Sequence, residues 1–106
     1  MEEKVKISIL LELYGNLLTE KQKEFMNYYY NEDLSLSEIA ENNEITRQAV
    51  RTILLKSKRK LEEYEEKLKF MQKENSIKKE LEKIENTNLN ENQKNIIKKI
   101  KNQLDF

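Results

Sequence analysis

Hydrophobic residues recur along the chain at the spacing of an amphipathic helix. The first stripe has members at i, i+3, i+4 and i+7, namely Ile7, Leu10, Leu11 and Tyr14. Such a stripe covers one face of an α-helix. It predicts a helix over about residues 3–16, with Gly15 placed at the C-terminal end.

Helix-capping patterns divide the next part of the chain into short helices. Thr19 with Gln22 and Ser35 with Glu38 each form a capping box, in which a hydroxyl caps the helix and the third residue reaches back. They predict a second helix that ends near Tyr30 and a third that ends near Asn42. A fourth helix is predicted to begin after a cap at Thr46.

This fourth helix continues into a seven-residue repeat. Apolar or small residues alternate at spacings of four and three: Val50, Leu54, Ser57, Leu61, Tyr64, Leu68, Met71 and Asn75. A repeat of this kind is typical of helices that pair along a seam. It predicts a long helix over residues 46–85, with a kink or a second helix near residues 74–76, where the pattern changes phase.

One helix cannot bury this seam alone, so a partner is required. The first prediction is a homodimer through Leu61, Tyr64, Leu68 and Met71, with the first helix contributing. The alternative is that the seam folds back on the first or the last helix of the same chain.

The C-terminal tail begins at a turn rich in asparagine, residues 86–90. Asn90 with Gln93 predicts the cap of a last helix. The resulting organisation is a helix-turn-helix domain at 1–60, a long helix at 46–85 and a C-terminal helix at 86–106.

The composition supports an all-α protein and excludes several kinds of chemistry. Proline is absent, there is one glycine, and histidine and cysteine are both missing. Thiol nucleophiles, serine–histidine catalysis and imidazole or thiolate metal sites are therefore excluded within one chain. We expect no enzyme activity, no metal, no cofactor and no small-molecule substrate.

No apolar run approaches the roughly 20 residues that span a bilayer. The first residues lack the basic and small-residue features of a signal peptide. The expected location is therefore the cytoplasm, without membrane insertion.

Charge is balanced overall but separated along the chain. The 20 basic and 20 acidic residues cancel. Residues 31–44 contain five acids and no base, whereas residues 45–60 contain six bases and no acid. An acidic segment therefore precedes a basic helix, and whether it masks that helix is left open.

Residues 35–50, SLSEIAENNEITRQAV, have the pattern of a helix-turn-helix. Ala40 supplies the small residue that a close helix crossing needs, and Val50 and Ile53 face back to the core. Glu44 stands where this motif often has glycine. We expect Asn43 or Asn42 to take the left-handed conformation, since asparagine adopts it at lower cost than most residues.

The predicted nucleic-acid contacts lie on the fourth helix. Side chains in its first turns would meet the edges of the nucleobases, and basic residues further along would meet phosphates. The predicted contact residues are Thr46, Arg47, Gln48, Arg51, Thr52, Lys56, Lys58 and Arg59. The alternative is a solvated basic face that pairs with the glutamates downstream, for example Arg59 with Glu63. DNA is the leading ligand, with RNA as the alternative.

The segments "LYGNLLTEKQKEFMNYYYNEDLSLSEIA", "TRQAV" and "KLEEYEEKL" together resemble a known family. They are similar to the fourth-region helix-turn-helix of sigma factors and, more closely, to the YlxM-like family of small bacterial proteins. The resemblance covers residues 13–71. It implies a sigma-like helix-turn-helix, self-association through the long helix and a regulatory link to the signal recognition particle pathway. The partner in that pathway would be the particle's GTPase or its RNA.

Overall fold

The computed structural model describes residues 2–104 and is helical throughout that range apart from short connections. Its helices are α1 (Glu3–Tyr14), α2 (Glu20–Tyr30), α3 (Leu36–Asn42), α4 (Arg47–Leu68), α5 (Phe70–Glu85) and α6 (Glu91–Gln103). A 3₁₀ turn, Gly15–Leu17, follows α1. The predicted all-α fold is confirmed. Capping boxes begin α2, α3 and α6 as predicted.

The helix predicted over residues 46–85 is divided into two helices at Lys69. This residue takes the left-handed conformation (φ 58°, ψ 30°), and its N–H donates to the Glu65 carbonyl at 2.8 Å. The predicted break at 74–76 therefore lies too far along the chain. No glycine or proline marks the position of the break at Lys69.

The chain forms two compact units, Met1–Lys69 and Phe70–Phe106. The boundary predicted at residue 60 falls inside α4, so the whole of that helix belongs to the first unit. The second unit holds α5 together with α6. The predicted division at 86 is the turn between those two helices.

In the first unit α4 packs against α1, α2 and α3. The buried apolar side chains of this unit are Ile7, Leu10, Leu11, Tyr14, Leu18, Phe25, Met26, Ile39, Ala40, Val50, Leu54 and Leu61. Burying one large apolar side chain stabilises a fold by roughly 1.5–3 kcal/mol. The core of this unit therefore rests on the apolar stripe of α4.

Polar groups at the packed side of α4 are satisfied within the chain. Ser57 is completely buried, and its hydroxyl donates to the Ile53 carbonyl at 2.7 Å. Tyr14 is buried from α1, and its hydroxyl donates to Oε1 of Glu65 at 2.8 Å. The ring of Tyr14 also lies 5.9 Å from that of Tyr64, centroid to centroid. These contacts tie α1 to the C-terminal half of α4.

The four residues predicted to form a dimer seam have different environments. Leu61 is completely buried by its own chain, which agrees with the alternative that the seam folds back. Tyr64 is half-buried and packs beside Tyr14, Met71 is half-buried, and Leu68 is 39% exposed. Leu61 is thus committed to the core, and dimerisation through the other three stays a prediction.

The second unit has a thin core. Among the described residues of α5 and α6, Leu81 and Ile97 are the buried apolar side chains. Five large apolar residues of this unit remain exposed: Phe70, Ile77, Ile84, Ile96 and Ile100. The Lys101 ammonium pairs with the Glu85 carboxylate at 2.7 Å, joining α6 to the end of α5.

Two leucines of the seam provide a test of these environments. We expect Leu61→Ala to lower the free energy of unfolding by about 2–5 kcal/mol, because it opens a cavity in the core. Leu68→Ala should lower it by less than about 1 kcal/mol. Urea unfolding at two protein concentrations measures both. Equal losses that depend on concentration would instead place both leucines in a dimer interface.

Candidate nucleic-acid interface

The turn between α3 and α4 sets the direction of the second helix. Glu44 takes the left-handed conformation, with φ of 55°. The Ile45 N–H donates to the Ala40 carbonyl at 3.1 Å, and the Glu44 N–H donates to the Glu41 carbonyl at 3.3 Å. This pair of bonds is the Schellman ending of a helix, which satisfies carbonyls that would otherwise lack partners.

The expectation for the asparagines before Glu44 is wrong. Asn42 ends α3, and Asn43 has φ of −112° and ψ of 4°. The Asn43 side chain instead donates from Nδ2 to the Ile39 carbonyl at 2.8 Å. This bond gives the Asn43 amide a partner in its half-buried position. The position of the left-handed residue follows from the Schellman geometry and not from side-chain preference.

Residues on both sides of the turn hold α4 in place. Ala40 of α3 and Val50 of α4 are both buried, and the two helices pack against each other. The Thr46 hydroxyl accepts from the Ala49 N–H at 3.0 Å, so Thr46 caps α4 as predicted. Because its hydroxyl is engaged in the cap, Thr46 positions the helix.

The predicted contact residues of α4 lie mainly on its solvent side. Exposed side chains are those of Arg47, Gln48, Arg51, Lys56 and Arg59. Successive residues of an α-helix point about 100° apart. Gln48 and Arg59 therefore point away from the buried stripe, and Arg47 and Arg51 lie on one flank. Lys56 lies on the opposite flank, so the five residues spread over about half of the helix circumference, with Arg47 and Lys56 at its two edges. We call this exposed half of the helix the α4 basic face.

Two of the predicted contact residues, Thr52 and Lys58, instead bind other groups of the same chain. Thr52 is half-buried, and its hydroxyl donates to the Gln48 carbonyl at 3.0 Å. Lys58 is half-buried, and its ammonium pairs with the Glu3 carboxylate of α1. The Lys58 ammonium is therefore directed toward α1. To contact a phosphate it would first have to leave the Glu3 carboxylate.

The pair between Lys58 and Glu3 perturbs both groups. The hydrogen bond holds the pKa of the Glu3 carboxyl below its ordinary 4.5 and raises the pKa of the Lys58 ammonium above its ordinary 10.5. Since the Glu3 pKa is depressed, the contribution of the pair is present above the ordinary value. It is lost as pH falls through the folded-state value.

Two of the five acids in the segment 31–44 have partners away from α4. Asp33 pairs with Lys4 of α1, and Glu38 accepts from the Ser35 N–H at 3.0 Å in its capping box. Within residues 2–104, no acid of this segment forms an ion pair with a base of α4. Glu41 and Glu44 are exposed at the turn, close in sequence to the start of α4. They lower the local potential without covering the α4 basic face.

Leu55 is an exposed residue of α4 that the hydrophobic pattern alone does not reveal. It lies on the solvent side of α4 and is 44% exposed, whereas its neighbour Leu54 is buried. A pair of adjacent leucines is normally attributed to the core, and only the helical angle separates the two. Leu55 stands four residues after Arg51 and four before Arg59.

Comparison with known proteins gives a family. The profile described as "Putative helix-turn-helix protein, YlxM / p13 like" matches residues 1–103. The chain belongs to the YlxM/p13-like family. The family description agrees with the helix-turn-helix geometry of α3 and α4, and it names no enzyme.

Relatives in this YlxM/p13-like family cover most of the chain. The UPF0122 protein of Clostridium perfringens strain 13 is 48% identical over 102 residues, which is 92% of this chain and 91% of that protein. The UPF0122 protein of Fusobacterium nucleatum is 43% identical over 100 residues, covering 94% and 97%. That of Clostridium kluyveri is 49% identical over 77 residues, covering 73% and 69%.

Within the described part of the chain, no helix is both long enough and apolar enough to cross a membrane.

The turn gives a specific stability prediction. We expect Glu44→Gly to raise the free energy of unfolding by roughly 0.5 kcal/mol, because glycine removes the steric cost of positive φ but loses more chain entropy. Asn43→Gly should lower it by about 1 kcal/mol, because it removes the bond to Ile39 without relieving strain. Thermal and urea unfolding measure both. A gain for Asn43→Gly instead would show that residue 43 carries the positive φ.

Proposed function

We propose that this protein is a DNA-binding regulator whose α4 enters the major groove. The observation that supports the proposal best is the α4 basic face, which is exposed and held from behind by buried Val50, Leu54 and Leu61. A recognition helix needs a rigid back and a polar front, since its N-terminal side chains contact base edges.

The chemistry of the side chains assigns roles within this face. Gln48 can form two hydrogen bonds with adenine, and Arg51 can form two with guanine. Lys56 and Arg59 lie further along the helix and suit phosphate oxygens, which fix position without reading sequence. Thr46 and Thr52 serve the helix itself, because their hydroxyls are engaged in α4.

Acidic residues in the C-terminal part of α4 limit the length of helix that can lie against DNA. Glu62, Glu63 and Glu66 are exposed and continue the solvent side of the helix after Lys60. Carboxylates repel phosphate, so the contact must end near residue 60. The usable stretch, residues 47–60, is about 21 Å long at 1.5 Å per residue. The protein therefore approaches DNA with about the first two thirds of α4.

A homodimer is part of the proposal. One copy offers a small basic face in a neutral chain, and two copies would present two such faces to neighbouring half-sites. Leu68, Tyr64 and Met71 remain the proposed contacts between copies, as Leu61 serves the core. Equilibrium sedimentation at tens of micromolar tests this part, and a strict monomer would contradict it.

The DNA interface is tested by titration at several salt concentrations. We expect Arg51→Ala to weaken binding to a preferred duplex by about 1–3 kcal/mol and to relax sequence preference. Lys56→Ala should weaken all sequences alike and reduce the salt slope by about one. Lys98→Ala in α6 removes the same charge from outside the face and should change little. Absence of binding at low salt would refute the proposal.

A second candidate function is that of an accessory component of the signal recognition particle, bound to its GTPase or its RNA. The exposed isoleucines of α5 and α6 support a protein partner, because this thin-cored unit leaves several large apolar side chains open to contact. They lie outside the α4 basic face. The two candidates therefore use different parts of the chain.

A pull-down from bacterial cytosol, with and without nuclease, distinguishes these partners. If the second function holds, we expect the particle's GTPase to co-purify after nuclease treatment, and Ile77→Asp to reduce its recovery. Recovery that nuclease abolishes would indicate RNA. Recovery of neither component would exclude the second candidate and leave the DNA proposal untouched.

A further inference from the structure

Leu55 is an apolar residue on a surface otherwise made of basic and polar side chains. It is 44% exposed in the middle of α4, and the helical angle places it between Arg51 and Gln48 on the solvent side. The core does not need it, since Leu54 and Leu61 form the buried stripe of the same helix. Leu55 thereby supplies an apolar contact group between two polar side chains of the α4 basic face.

The major groove offers one apolar group among its base edges. Guanine, cytosine and adenine present hydrogen-bond donors and acceptors there, whereas thymine also presents its C5 methyl group. Arginine, glutamine and lysine cannot use that methyl group, because their ends are polar. A leucine on the same face can.

We propose that Leu55 contacts a thymine methyl group and thereby makes a T·A pair part of the DNA site. This inference rests on the proposed DNA binding through α4. It assigns Leu55 as a specificity residue beside Gln48 and Arg51, with a different chemistry from either.

Helix geometry gives the position of the thymine. Leu55 stands four residues after Arg51 and seven after Gln48, which are about 6 Å and about 10 Å along the helix axis. Base pairs along one strand are about 3.4 Å apart. With α4 aligned along the duplex axis, the thymine would lie about two base pairs from the Arg51 contact and about three from the Gln48 contact, toward the C-terminal end of α4.

The test begins with selection of preferred duplexes from a randomised pool by the full chain. Each thymine of the selected duplex is then replaced by uracil, which deletes the C5 methyl group and leaves the hydrogen-bonding groups unchanged. We expect one replacement, at the predicted spacing, to raise Kd about fourfold, as burial of one methyl group implies.

Variants connect that loss to Leu55. With Leu55→Ala, Kd for the thymine duplex should rise about fourfold and the uracil replacement should have no further effect. Leu17→Ala is the matched control, because Leu17 is 55% exposed and lies outside α4. It should keep the full uracil penalty. Circular dichroism confirms that each variant is folded.

Three results would overturn the inference. A uracil penalty of equal size in wild type and Leu55→Ala would show that another residue contacts the methyl group. Selected duplexes without thymine at that spacing would exclude the contact. Failure to select any duplex would refute the DNA-binding proposal itself, and the role of Leu55 with it, whereas the first two results leave DNA binding standing.

Discussion

The structure depends on the burial of one stripe of α4 against the three helices that precede it. Val50, Leu54, Ser57 and Leu61 fill the centre of the first unit, so the helix that carries the basic face is also its main core element. Core and surface are therefore two sides of a single rigid rod. A change that shifts the stripe moves every side chain on the opposite side with it.

Contacts near the start of α4 and further along it fix the orientation of the helix. At the start of the helix, Thr46 and the Schellman turn at Glu44 hold the first residues. Toward its C-terminal end, Tyr14 reaches from α1 to Glu65, and Lys58 reaches back to Glu3. These contacts anchor α4 to α1 at several heights. Through these contacts α1 supports the second helix of the helix-turn-helix without belonging to that motif.

Much of this fold could be predicted from the residues because local rules and tertiary packing agree. The capping boxes at Thr19, Ser35 and Asn90 begin helices as their spacing implies. The break at Lys69 could not be predicted, since lysine has no special preference for positive φ and tertiary context decides. A heptad pattern likewise does not indicate whether its apolar side chains are buried by the same chain or by a second copy.

The candidate site could be predicted only in part, for physical reasons that differ from residue to residue. The exposure of Gln48 and Arg51 can be predicted once the start of α4 is known, because each residue turns the side-chain direction by about 100°. The commitment of Lys58 to Glu3 joins residues far apart in sequence and leaves no local trace. The exposure of Leu55 could not be predicted from the sequence. Adjacent leucines such as Leu54 and Leu55 are distinguished only when the buried side of the helix is known.

Glu44 has a consequence beyond the shape of the turn. It lies two residues before the cap of α4, where partial positive charge gathers on unpaired backbone N–H groups. A carboxylate there stabilises the helix end that, in many proteins, attracts a phosphate. The protein thus places its own anion near the spot a nucleic-acid backbone would favour. Any nucleic acid that approaches α4 must be held by side chains along the helix, and the helix dipole itself contributes little attraction.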